Sequence, residues 1–156
     1  MRFARASVIV SPVAAIVLAA AVPSATRYWI FASLGTGATE LQGGTLSFSL
    51  PNGVAWTGRA AATVGADPVI EGERLVWRTG TVAPHAGVLF EAPSSSFEVA
   101  LTPSAAQVGT SPLLVSQIAF TGTDAWTGAN LSSDQPGLTT QLPGDSGIEG
   151  RTVVRP

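Results

Sequence analysis

The chain has 156 residues, no cysteine and a net charge of −2, and its charged residues amount to 12% against about 25% in ordinary globular chains. That leaves room for one domain with a core and excludes a disulfide framework or a thiolate metal site. Every base is Arg; with Arg2 and Arg5 of the first segment set aside, the eight bases become six against ten acids, a net −4, and no basic face for nucleic acid results.

MRFAR is a short positive start, and residues 6–22 form an uncharged run broken only by Ser7, Ser11 and Pro12. Ala19, Ala20, Ala21, Ser24 and Ala25 then supply the small residues at which a signal peptidase cuts. Residues 1–25 therefore read as an export signal. A membrane anchor is the rival, although spanning takes about 20 apolar residues and this shorter run carries Pro12. A third reading makes Val8-Ile9-Val10 an ordinary strand in the tail of a longer, multi-module protein. Membrane contact is expected only through residues 6–22.

From Arg27 the pattern is that of strands. RYWIFASL is apolar on both faces, with Tyr28, Ile30, Ala32 and Leu34 on one and Trp29 and Phe31 on the other, as in a strand covered on both sides. GTGATELQGG reads as a turn-rich connection. TLSFSL alternates, sending Leu46, Phe48 and Leu50 inward, and Pro51-Asn52-Gly53 closes it with turn chemistry. Further strands are expected at residues 54–57, at Val64, at Val69-Ile70 and, as a short piece, at Val88-Leu89-Phe90.

The clearest alternation lies between residues 74 and 103. Leu75 and Trp77 face one way and Arg74, Val76 and Arg78 the other; Phe97, Val99 and Leu101 oppose Glu98, Ala100 and Thr102, and Pro103 stops the strand. Two half-buried strands joined by a Pro/Gly/Ser-rich connection imply a β-sandwich whose core holds Trp77, Leu75, Phe48, Phe97, Val99 and Leu101. SPLLVSQIAFTG predicts a strand over residues 113–120, flanked on both sides to avoid an exposed apolar edge. Residues 138–142 and 152–154 are the last strand candidates. No window has a helical period.

Ala55-Trp56-Thr57-Gly58 recurs as Ala125-Trp126-Thr127-Gly128. Four matching residues are too few for a tandem repeat, so both are expected at similar strand-to-turn corners, packed at the core edge.

Several segments in this order carry a resemblance: Leu50-Pro51-Asn52-Gly53-Val54 with Trp56-Thr57-Gly58, Leu75-Val76-Trp77-Arg78-Thr79-Gly80, residues 97–103, Gln107-Val108-Gly109 and Thr121-Gly122-Thr123-Asp124. Over residues 26–156 the chain resembles the Ig-like modules repeated in bacterial cell-envelope and S-layer-associated surface proteins, many of them domains of unknown function. The resemblance implies an all-β, Ig-like antiparallel β-sandwich preceded by an N-terminal hydrophobic segment, in an exported and often membrane-anchored protein. It brings no catalytic residues. Most such proteins carry several modules, and this chain has one.

The sequence also carries fragments of chemical motifs that stand apart from that likeness. Gly144-Asp145-Ser146-Gly147 matches the surroundings of a chymotrypsin-like nucleophile, and His85, Asp124 and Ser146 follow that chain order. A triad needs an imidazole packed on a buried carboxylate, whereas Ala83-Pro84-His85-Ala86-Gly87 reads as an exposed turn, and residues 144–150 as a polar loop. One His and no Cys leave only oxygen ligands, and Asp124, Asn130, Asp134 and Asp145 lack EF-hand spacing. Glu71, Glu73, Glu91 and Glu98 show no pairing for glycoside chemistry, and no phosphate-binding glycine loop is present.

The expected organisation is a signal peptide or N-terminal membrane anchor over 1–25, the Ig-like β-sandwich over 26–142, and a polar C-terminal loop with a last short strand over 143–156. The expected function is a non-catalytic structural or display module of an exported cell-envelope protein, at the cell surface or membrane-anchored outside the cell. No cofactor or metal is called for. Its partners would be other envelope modules or proteins, with glycan as a further candidate and nucleic acid excluded. The alternative is a glycan- or peptide-binding module using Trp126, Asp124 and Asn130 around the 124–137 loop.

Overall fold

Period-two alternation makes most of this chain extended. The computed structural model describes residues 6–9 as backbone and residues 25–141 throughout. Its strands are β1 (Ala6–Ile9), β2 (Thr26–Leu34), β3 (Leu41–Ser49), β4 (Val54–Ala62), β5 (Val69–Glu71), β6 (Arg74–Val82), β7 (Ser94–Leu101), β8 (Leu113–Asp124) and β9 (Asn130–Thr139). Among the described residues the helical content is one 3-10 turn, Ala105–Gln107, and no helix is long and apolar enough to cross a membrane.

All strand pairs are antiparallel, in two sheets: β1-β2-β7-β4, here sheet I, and β5-β6-β3-β8-β9, here sheet II. The two pack as an Ig-like sandwich. Sheet I contributes Ile30, Ala32 and Leu34 from β2 and Phe97, Val99 and Leu101 from β7; sheet II contributes Leu46 and Phe48, Leu75 and Trp77, and Leu114, Ile118 and Phe120, all buried. Phe48 and Phe97 meet across the layers with ring centroids 4.8 Å apart and tilted by 56°, an edge-to-face-like arrangement favoured by the ring quadrupoles. The Trp77 indole is fully enclosed, and its Nε1–H donates to the Val64 carbonyl at 3.1 Å, so its one polar group is paired.

Strand bounds differ from expectation where polar stretches join the ladder. β3 begins at Leu41 rather than Thr45, because a bulge at Gly43 and Gly44 lets the chain re-register against both neighbours. β8 runs on to Asp124 and lies between β3 and β9. The expected 124–137 loop shrinks to a hairpin turn, since residues 130–139 form β9, and residue 140 onward is not strand among the described residues. Pro136 sits within β9 without harm because β9 is an edge strand, where a missing N–H is tolerated. Val88-Leu89-Phe90 is a turn, not a strand: an isolated bridge joins Ala86 to Phe90, and the N–H groups of residues 88–90 all turn back to one carbonyl.

At the N-terminus, Ala6–Ile9 pairs with residues 31–34 of β2 at the edge of sheet I. Residues 10–24, with the small-residue cleavage setting, lie outside the described residues, as do residues 142–156 with the expected polar loop and the 152–154 strand.

Candidate functional site

Three connections lie side by side at one end of the sandwich: residues 35–40 between β2 and β3, residues 83–93 between β6 and β7, and residues 124–129 in the β8–β9 hairpin. Residues 35–40 are the middle member. The Thr36 N–H donates to the Ala86 carbonyl (3.0 Å) and the His85 N–H to that of Gly37 (2.7 Å); on the other side, the Ala125 N–H donates to the Glu40 carbonyl (2.9 Å). The buried Thr36 hydroxyl donates to the Ala83 carbonyl (2.6 Å) and accepts from the Ala86 N–H (3.0 Å).

Asp124 builds the hairpin turn. Its Oδ1 accepts from the N–H groups of Trp126 (2.9 Å) and Thr127 (3.0 Å), and its Oδ2 from the Thr39 hydroxyl (2.7 Å); an Asp bonded to backbone two residues on is an Asx turn. The Thr39 hydroxyl first, and then the Thr127 N–H, hold the Asp124 carboxyl below its ordinary value. With the carboxylate so occupied, Trp126 projects outward, 86% exposed. Asn130 follows as the exposed first residue of β9, opposite Thr123. The three expected ligand-surface residues thus share one hairpin, but Asp124 is structural, and Trp126 does not pack at the core edge as expected. Trp56, its counterpart in the four-residue match, lies within β4 and packs against the core, with Nε1–H on the Arg59 carbonyl at 3.4 Å.

His85 takes a left-handed backbone, φ 60°, and its carbonyl collects the N–H groups of Val88 (3.1 Å), Leu89 (2.9 Å) and Phe90 (3.3 Å). The turn is tight enough that the three apolar side chains point away from the core, 76%, 71% and 62% exposed. His85 and Asp124 hang from opposite sides of residues 35–40, while Asp145 and Ser146 lie outside the described residues.

The remaining acids are dispersed. Glu71 forms a two-pronged pair with Arg78 (2.6 and 3.0 Å), which lowers its pKa; Asp134 accepts from Gln117 at 3.4 Å on β8 and β9; Glu73 and Glu91 lie in connections and Glu98 on sheet I. Among the described residues no three His, Cys, Asp or Glu side chains gather as a metal-binding group.

Glu98 is the charged residue whose burial strand alternation does not foretell. It sits on the outer face of β7, as alternation requires, yet its side chain is only 4% exposed. Trp29 lies directly opposite on β2, and Arg27 and Arg59 close over it from either side, at 3.6 and 3.5 Å, with their own side chains 63% and 65% exposed. Glu98 Oε1 receives no hydrogen bond. A bulge in β4 between Trp56 and Ala60 brings Arg59 there, and the Thr57 hydroxyl donates to the Glu98 carbonyl at 3.3 Å. Sequence alone offered little warning, since Arg27 and Arg59 are 32 residues apart. The exposed apolar turn had a weak signal: three consecutive apolar residues between Gly87 and Glu91, without alternation.

No protein-family model and no curated protein matches the chain. Solved structures do. The fold is similar to that of bacterial pilus proteins. The major pilin subunit BcpA of Bacillus cereus superposes with a TM-score of 0.50 at 11% identity, over 86% of this chain and 39% of that one. Three N-terminal domains of the type V pili tip protein Mfa5 of Porphyromonas gingivalis give 0.52 at 14% identity, over 67% of this chain and 22% of that one. The chain therefore spans well under half the length of either structure, and at such identities the likeness is one of fold.

Proposed function

We propose that this chain is a non-catalytic structural or display module of an exported bacterial cell-envelope protein, working at the cell surface or anchored outside the membrane. The observation that carries this reading is how the polar groups at the loop end are used: the Asp124 carboxylate holds a turn, the Thr36 hydroxyl ties two loops together and the His85 backbone carbonyl caps a bend. The fold shared with pilus subunits supports it. Partners would be other envelope modules or further subunits. With no lysine in the sequence, no lysine side chain is available here for an amide cross-link. Fractionation of cells producing the full chain tests the address: protection from protease added to intact cells would sink it, and digestion would support it.

A second reading has its own observation. Trp126 is a nearly free indole on a hydrogen-bonded turn, a geometry suited to stacking on a sugar ring or a peptide side chain. A glycan array with wild type and Trp126→Ala separates the two: signal lost with the indole favours the binding module.

A further inference from the structure

Two surfaces of the chain are left incomplete, and they are complementary. On the outer face of sheet I, Trp29 and Phe31 follow one another along β2, Phe31 being 37% exposed. Beside them, the outward residues of β7 are Ser96, Glu98 and Ala100, and those of β4 include Ala55 and Ala61, all small apart from the covered Glu98. This makes a face with an aromatic strip along β2, small residues along β7 and β4, and the two arginines lying over Glu98 between them. Arg27, Arg59 and Glu98 are the charged residues of the four strands, a net +1. The long contacts to Glu98 leave most guanidinium donors of both arginines open.

The loop end has the opposite character. Val88, Leu89, Phe90 and Trp126 stand out on turns fixed by backbone hydrogen bonds, so little ordering would be lost on docking. Around them lie Glu40, Glu91 and Asp124, and residues 35–40, 83–93 and 124–129 contain no Arg. Three acids with no arginine beside them disfavour an anionic leaflet as the occupant and favour a surface carrying arginine and aromatic rings. The chain itself has such a surface.

We propose that copies of this chain associate tip to face: the Val88–Phe90 turn and Trp126 of one copy pack on the aromatic and arginine-bearing outer face of sheet I of the next. Glu91 and Glu40 then meet the open donors of Arg27 and Arg59. The two patches differ, so a copy that has docked its tip still presents a free face, and the contact propagates into an open string rather than closing as a dimer. The contact supplies the partner for the surface-module reading and rests on it only for its setting. A monomeric chain found at the cell surface would overturn this contact and leave that reading standing.

Sedimentation velocity of the full chain over a concentration series is the test, with a tip variant (Leu89→Asn with Phe90→Asn) and two face variants, Arg59→Gln and Phe31→Glu. Thermal unfolding verifies that each is folded, and Arg59→Gln retains an amide donor toward Glu98 should Phe31→Glu fail. Wild type should grow with concentration and shrink with added salt, and each variant alone should associate about tenfold more weakly or less. The deciding sample is the mixture: tip variant plus face variant retains one intact tip and one intact face, and should form one-to-one pairs and nothing longer. Wild type monomeric up to about 1 mM, variants that associate as wild type does, or folded variants that fail to pair when mixed would each overturn the proposal. Wild type that stays monomeric but floats with phosphatidylcholine vesicles would overturn it too, assigning the loop end to a bilayer.

Discussion

Trp77 has the largest fully enclosed side chain between the sheets, and its replacement leaves both a cavity and the Val64 carbonyl without its donor. Trp77→Ala should cost about 3 to 5 kcal/mol, a large share of the roughly 5 to 15 kcal/mol available to a single domain; a urea midpoint close to wild type would count against this role. His85→Ala, and Ser146→Ala outside the described residues, should each shift stability by less than about 0.5 kcal/mol. A measurable hydrolysis abolished by Ser146→Ala in a folded chain would reopen a protease reading. Asp124 gives the residue scale its pH dependence. Its carboxyl is held down by the Thr39 hydroxyl and the Thr127 N–H, so the folded pKa lies below the unfolded value of about 3.9. The sign follows: the hairpin's stabilisation is whole above the unfolded value and is lost as pH falls through the folded one. Asp124→Asn, which keeps an acceptor for the Trp126 and Thr127 N–H groups, should flatten the acid limb of a thermal-melting curve; an unchanged limb would place the acid sensitivity elsewhere.

Among the elements, β8 and β9 show how a ladder sets limits on side chains. Gly137 lies so close to β8 that an added Cβ would run into the Val115 and Ser116 carbonyl oxygens, which are backbone and cannot swing aside. Gly137→Ala should therefore cost about 1 to 3 kcal/mol, as overpacking does; wild-type melting of that variant would mean that the edge strand moves freely. β8 itself, flanked by β3 and β9, should hold its amides longest. Hydrogen exchange should be slow across residues 115–119 and faster in the short edge strand β5, because the first set opens only with the sheet. Fast exchange at residues 115–119 in the native state would contradict the central position. The bulges at Gly43-Gly44 and between Trp56 and Ala60 belong to the same scale: each re-aims a strand, and the second delivers Arg59 to Glu98.

For the whole molecule, the N-terminal segment joins address to architecture. If export is followed by cleavage between about residues 19 and 26, as the small residues there imply, β1 leaves with the signal and residues 31–34 of β2 become an open edge. Such an edge is a template for pairing with another strand. N-terminal sequencing of the exported form should begin within that window; an intact Met1 on a soluble cytoplasmic product would sink the export reading, and the strand pairing of residues 6–9 would then belong to the mature fold.

Much of the sandwich was legible in the sequence because burial on one face writes a period of two into a strand, and Leu75, Trp77, Phe97, Val99 and Leu101 carry that period. Turn chemistry at Pro51-Asn52-Gly53 was legible for a similar reason, since few residues take the required backbone angles. Tertiary structure decided what depends on partners distant in sequence. Residues 130–137 are polar enough to pass for a loop, and they become a strand because β8 offers them a ladder. Val88-Leu89-Phe90 is apolar enough to pass for a strand, and it becomes a turn because the His85 carbonyl takes its N–H groups. Trp56 and Trp126 share their local sequence yet end half-buried against the core and exposed, since one lies inside β4 and the other at a hairpin tip. Glu98 obeys its strand's alternation and is still covered, because β2 and a bulge in β4 bring two arginines over it. Local pattern determines which way a side chain faces; what then covers it is settled only by the neighbours that folding supplies.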